Sequence, residues 1–167
     1  NACGDRTDRT RYLAAKASLE LAEPVRENFM VMKITQPLAD SMALKKELME
    51  DVLRVYGDAA AYGVAEVTTA ATYRLGEVYQ QFSRDLMDSE RPQNLDAMAL
   101  EQYDLLLEEQ TFPFEEKAIE LYQANTARAA EGVWDEWVEK SFAALAGLMP
   151  ARYAKMERSE DVVTAMF

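Results

Sequence analysis

The stretch TFPFEEKAIELYQAN, residues 111–125, decides how this chain divides into helices. Two phenylalanines flank Pro113, and Ala118, Leu121, Tyr122 and Asn125 then fall on one side of a helix. Thr111 has the chemistry of an N-cap, and Pro113 suits a first helical turn, where its missing N–H is not needed. Glu115 and Glu116 would sit on the positive end of the helix dipole. On this reading one helix covers residues 95–110 and the next runs from 111 to about 130. Phe112-Pro113-Phe114 is then a structural hinge whose rings staple to the core. Two alternatives remain: a single helix kinked at Pro113, or an exposed aromatic loop for a partner.

Working outward, residues 9–22 carry Tyr12, Ala15, Leu19 and Ala22 at helical spacing, with Thr7 or Asp8 to cap them and Pro24 past their end. In residues 25–36 the run NFMVMKI alternates like a strand, but a lone strand has nothing to pair with. A short helix or an extended linker is expected there. Residues 38–62 form a long helix with Leu38, Met42, Leu48, Val52, Val55, Tyr56 and Ala59 inward and Lys45, Lys46, Glu47 and Glu50 toward water. Gly57 inside it costs roughly 1 kcal/mol relative to alanine, which suggests close helix packing. Gly63 fits a C-cap.

Residues 64–89 read as the next long helix, through Val67, Ala71, Leu75, Val78, Phe82 and Leu86. Its β-branched start, VTTAAT, has poor helix propensity and calls for tertiary support. Arg91-Pro92 breaks the chain, and Leu100, Tyr103, Leu106 and Leu107 are expected inward in residues 95–110. Gly132 precedes a helix over 133–148 that carries Trp134, Trp137, Phe142 and Leu145. The two tryptophans are expected on one face as core packing, with an interface role as the alternative. Pro150 stops that helix. A short turn over 151–157 and a helical or frayed tail to Phe167 complete an all-α chain of about seven helices, with short connections that favour antiparallel neighbours.

The 167 residues set one domain as the expectation, and six glycines with five prolines suit helices better than a many-turned β fold. A net charge of −12 argues against nucleic acid and anionic membranes and favours basic or amine-bearing protein partners. With no histidine, Ser-His-Asp triads, Cys-His dyads and histidine-based zinc or di-iron sites are excluded. No apolar run approaches the roughly 18 residues of a membrane-spanning helix, and no signal peptide is visible. Asn1-Ala2 reads as the remnant of a cleaved tag. Cys3 reads as a free thiol, with a lipoprotein start as the alternative. Glu108, Glu109, Glu115 and Glu116 could pair for acid–base chemistry, but solvated carboxylates on helix surfaces are the expectation. Met30, Met32, Met42, Met49 and Met98 are expected as core fillers. No enzyme activity, cofactor or metal follows from these residues.

One motif stands apart. YRLGEVY, residues 73–79, contains Leu75-Gly76-x-x-Tyr79, which resembles the first-helix core of a tetratricopeptide repeat. FEEKAIELYQAN resembles the second helix of such a repeat, with Ala118 and Tyr122 at its small and aromatic positions. Trp134 lies where the next repeat would start, and Pro150 resembles the terminal proline. The chain departs from the pattern in the extra helix within residues 88–110, in the missing Leu-Gly pair after Trp134, and in the length of the 38–62 helix. Most of the chain after Leu38 is also similar to segments of large tetratricopeptide proteins of the proteobacterial envelope. The resemblance implies an irregular array of stacked antiparallel hairpins over residues 3–167, part of a longer periplasmic or envelope-associated scaffold that is not an enzyme. It implies a concave groove lined by Tyr73, Glu77, Gln80, Gln81, Asp135, Glu139 and Phe142. That acidic, amide-bearing lining would suit a protein or peptide partner with Lys, Arg or amide groups.

Overall fold

Thr7 accepts the Thr10 amide with its hydroxyl and so starts α1, Asp8–Val31. The computed structural model describes residues 7–154, so the readings of Asn1-Ala2, Cys3 and the tail lie outside the described residues. The helix does not stop before Pro24 but runs through it. Proline removes one helical bond and frees the carbonyl of Glu20, which lies on an exposed turn where water can satisfy it. Beyond the proline, Phe29 is fully buried and anchors the last turns. The chain then runs extended from Met32, with Ile34 buried, and Ser41 Oγ donates to the Thr35 carbonyl at the start of α2, Leu38–Ala60.

Four more helices follow among the described residues: α3, Ala65–Met87; α4, Ala97–Ala127; α5, Glu136–Leu148; and the single turn α6, Pro150–Tyr153. A 3-10 turn over Arg128–Glu131 and Gly132, at φ +83°, separate α4 from α5. Gly63, at φ +67°, lies in the turn between α2 and α3. The start of α3 is stabilised as its sequence requires. Val67 is buried with Ala15 of α1 and Ala59 of α2, and Asn125 of α4 donates to the Thr69 carbonyl, while the hydroxyls of Thr68 and Thr72 bond carbonyls one turn back.

The expected division at Thr111 is not observed. Residues 97–127 form one helix with Pro113 inside it, which is the kink alternative. Pro113 is exposed, as is Glu109, whose carbonyl it leaves free. Thr111 is buried and bonds the Glu108 carbonyl instead of capping a new helix. The two phenylalanines part company. Phe114 stacks on Phe82 with centroids 4.3 Å apart, and Phe112 is 59% exposed.

Paired residues give the helix directions. Along α1 and α2, Phe29 meets Lys45, Glu23 meets Tyr56 and Ala15 meets Ala59, so the two are antiparallel. The pairs Lys45–Asp85 and Ala59–Val67 give the same sense for α2 and α3. Phe82–Phe114 and Thr69–Asn125 set α4 against α3, and Ala118, Tyr122 and Asn125 pack on Leu145 and Ser141 of α5 in the same manner. It follows that α1, α3 and α5 run one way and α2 and α4 the other. Direct pairs join α1 to α3 (Lys16–Glu66, Glu23–Arg74) and α3 to α5 or its cap (Tyr73–Trp137, Thr69–Asp135). Thus α3 is central, and Val67, Ala71, Val78, Phe82 and Leu86 are buried as its stripe predicts.

Several inward and outward assignments change. Lys45 is fully buried rather than facing water, because it shares the buried face of Met49, Val52 and Tyr56 and meets Asp85 there. Leu106, Leu100 and Met98 are exposed, since the core side of α4 runs through Tyr103, Leu107, Phe114 and Ala118. Trp134 precedes α5 and is 64% exposed, so it shares no helix face with Trp137. Gly57 is exposed, and a Cβ added to it would have nothing within 4 Å, so it serves no close packing. Gly57→Ala should therefore stabilise the chain by about 0.5–1 kcal/mol, the helix-propensity difference alone, measured by urea unfolding.

Candidate functional site

The side of α3 that carries Tyr73, Glu77, Gln80 and Gln81 borders a cleft of about 420 Å³ whose opposite wall is α5, with Met30 of α1 at one end. These positions recur at the period of a helix, so one face of α3 delivers all four. The floor is the Tyr122 ring, fully buried against Gly76 and 5.6 Å from the Tyr73 ring. Tyr73 in turn packs 5.6 Å from Trp137. The Tyr122 hydroxyl donates to Gln80 Oε1 at 3.2 Å, which orients that amide with its N–H groups free to face the cleft. Burial pushes the Tyr122 phenol well above its ordinary value, so it stays protonated and remains a donor. The Tyr73 phenol is raised too, by burial and then by the charge of Glu77.

Electrostatics in the cleft depart from the expected lining. Among the described residues Glu77 is the single carboxylate on its walls, and Arg74 holds it at 2.7 Å. Arg84 stands exposed at the rim with no carboxylate within ion-pair distance among the described residues. Lys140 enters from α5, 4.1 Å over the Trp137 ring, and pairs with Glu136 at 2.7 Å. The result is a cleft with Arg84 unpaired among the described residues, Lys140 shared with Glu136, and a carboxylate paired with Arg74, on an otherwise acidic chain.

The expected α5 residues are not brought to the cleft. Asp135 caps α5: its Oδ1 accepts the amides of Trp137 and Val138, and its Oδ2 accepts the Thr69 hydroxyl. Glu139 is exposed away from the cleft, and Phe142 stacks on Trp134 with centroids 5.8 Å apart. In their place α5 presents Lys140, Ala143, Ala144 and Gly147. The shift follows from where α5 begins. It starts at Glu136 behind its aspartate cap, and its buried face is Val138, Ser141 and Leu145. Two local signals point to this register: the Asp-Glu pair of an N-terminus, and the Val-Ser-Leu spacing of the core face. Tyr122, Arg84 and Lys140 are the polar cleft residues that sequence reasoning missed, together with the apolar Met30, Ala143, Ala144 and Gly147.

Polar clusters hold α3 in place, one of them joining Arg74 and Glu77 to Glu23 and Arg26 of α1. Behind the cleft, Asn125 is fully buried and donates to the Thr69 carbonyl and to Ser141 Oγ, each at 3.0 Å, tying α4 to α3 and α5. At the far end, Gln81 Nε2 donates to Asp85 Oδ1 at 3.0 Å, so a cleft residue is fixed to the buried Lys45–Asp85 pair. A larger recess, of about 830 Å³, lies between α1 and α2 beside Thr10, Ser18, Asp58 and Tyr62, but no convergent set of buried polar groups faces it. Glu108, Glu109, Glu115 and Glu116 are exposed on α4. No helix among the described residues is long and apolar enough to cross a membrane.

Compared with known proteins, the chain matches no family model, no curated protein and no solved structure. The likeness to tetratricopeptide repeats therefore rests on its sequence motifs.

Proposed function

We propose that this chain is a protein-binding module that takes an extended peptide segment in the α3/α5 cleft. The observation that carries the reading is the convergence of Tyr73, Glu77, Gln80 and Gln81 with Tyr122, Arg84 and Lys140 around one recess. Phenol and carboxamide groups beside a shallow helical groove suit backbone amides, and the two cations favour a segment with carboxylates. The sequence of antiparallel helices, with α1, α3 and α5 on a common heading, is the order that stacked tetratricopeptide-type hairpins would have, and it supports the scaffold reading. By the same resemblance, the module would belong to an envelope-associated protein.

Selection of displayed random peptides on the chain tests this. Asp- and Glu-containing sequences should be enriched, and Arg84→Glu with Lys140→Glu should weaken them about tenfold or more, as for loss of charge pairs at a binding site. Both side chains are at the surface, so the fold should survive, which circular dichroism checks. No enrichment, or equal binding to the variant, would leave the cleft without this role. An architectural spacer would then be the better reading.

A further inference from the structure

On the side of α4 turned away from the core, Met98, Leu105 and Phe112 are 71%, 56% and 59% exposed. Their spacing of seven residues keeps them in one line, drifting by only about 20° per step. The line spans about 21 Å of helix. The core faces the opposite side, through Leu107, Thr111 and Ala118. Scattered exposed apolar residues are normal, but three in register on a helix's outer face are not required by the fold.

The line is bordered by acid. Glu101 and Glu108 lie on one side and Glu109 on the other, all exposed and without an ion pair among the described residues. Residues 97–116 contain six carboxylates and no lysine or arginine. Asp104 is already paired with Arg91 at 2.6 Å, which leaves Glu101, Glu108 and Glu109 as the unpaired carboxylates of the border among the described residues. Such a border speaks against a second copy of this chain. An antiparallel pair centred on Leu105 would match Met98 with Phe112 but set Glu101 against Glu109, and a parallel pair would align identical carboxylates.

We propose that the outer face of α4 docks a basic amphipathic helix of a partner protein. Its apolar residues lie along Met98, Leu105 and Phe112, and its Lys and Arg side chains flank them against Glu101, Glu108 and Glu109. A helix of about four turns covers the line. The surface is separate from the α3/α5 cleft, so the two readings stand or fall independently.

The test uses the full chain and a fluorescent 18-residue synthetic helix with leucines at heptad spacing and lysines beside them. The control peptide keeps the leucines and replaces the lysines with glutamates. Anisotropy should show the basic peptide binding at least about tenfold more tightly than the control. Leu105→Gln with Phe112→Gln should reduce its affinity about tenfold or more, as for loss of interface anchors. Glu108→Gln with Glu109→Gln should weaken binding and flatten its salt dependence. Glu47→Gln with Glu50→Gln, exposed on α2, should change little. Unchanged binding by the Leu105/Phe112 variant would mean general charge attraction and overturn the proposal. So would equal binding of the two peptides, or a dimer dispersed by that variant in sedimentation.

Discussion

Asp85→Ala should destabilise the chain by about 3–5 kcal/mol, because it strands a buried ammonium. Lys45 is fully buried on α2, with its Nζ 4.0 Å over the Phe29 ring. That Nζ donates to the carbonyls of Phe29 and Met32 at the end of α1 and faces Asp85 Oδ2 at 2.8 Å. Asp85 Oδ1 accepts Lys33 at 2.8 Å and Gln81 at 3.0 Å. One ion pair thus joins the last turn of α1, the middle of α2 and the end of α3. Burial pulls the Lys45 ammonium below its ordinary pKa, and Asp85 is what opposes that shift. Lys45→Met should be milder, at about 1–3 kcal/mol, since the Asp85 charge keeps Lys33 and Gln81 on Oδ1, although Oδ2 and the two carbonyls lose a donor. Acid adds a second signature. Burial alone would raise the Asp85 carboxyl, but bonds from Lys33, Lys45 and Gln81 outweigh it and hold the group below the usual carboxylate range. Its contribution is complete above the ordinary carboxylate pKa of about 4 and is lost as pH falls through the lower folded value. The natural chain should therefore lose stability over that range, and Asp85→Asn should lose less. Urea unfolding as a function of pH reads both effects. A loss for Asp85→Ala of under about 1 kcal/mol, as for an exposed pair, would show that water reaches the cluster.

The buried pair also shows what was legible in the sequence. Lys45, Met49, Val52 and Tyr56 recur at helical spacing, as do Phe82, Asp85 and Leu86, yet a charged residue at such a position reads as solvated until its partner is known. That partner is 40 residues away, and periodicity carries no information across that gap. The prolines misled for a related reason. Pro24 looked like a stop and Pro113 like the first turn of a new helix, but each lies on an exposed face with buried anchors on both sides, Ala22 and Phe29 for one and Thr111 and Ala118 for the other. Proline breaks a helix most readily where the freed carbonyl is cut off from water, and here the freed carbonyls belong to the exposed residues Glu20 and Glu109. The α3 half of the cleft was legible because a single helix's periodicity delivers it. The α5 half depended on where that helix starts, and an aspartate cap two residues from the assumed point turned Asp135 and Glu139 away and Lys140 inward.

Gly76→Val should destabilise the chain by about 3 kcal/mol, at the upper end of ordinary overpacking. A Cβ on Gly76 would lie 2.6 Å from Tyr122 Cε1, 2.9 Å from Cζ and 3.0 Å from Cδ1. Aromatic rings often swing away from such a clash, but this one is held on several sides. Tyr122 is fully buried, packs beside Tyr73, Ala118 and Leu145, and is tethered by its hydroxyl to Gln80. Gly76 thus marks a close approach of α3 to α4, filled by the Tyr122 ring. Gly57 isolates the backbone term: the same residue type in a helix interior, with open space around it, should gain from alanine. A rescue variant then separates sterics from helix propensity. Tyr122→Leu removes the ring and should lose stability alone, but Gly76→Val should cost less in that background than in the natural one, a coupling of about 1 kcal/mol or more between residues in contact. Additive losses would mean that the two helices part to admit the valine. Because Tyr122 is also the cleft floor, a relieved clash should restore stability without restoring peptide binding.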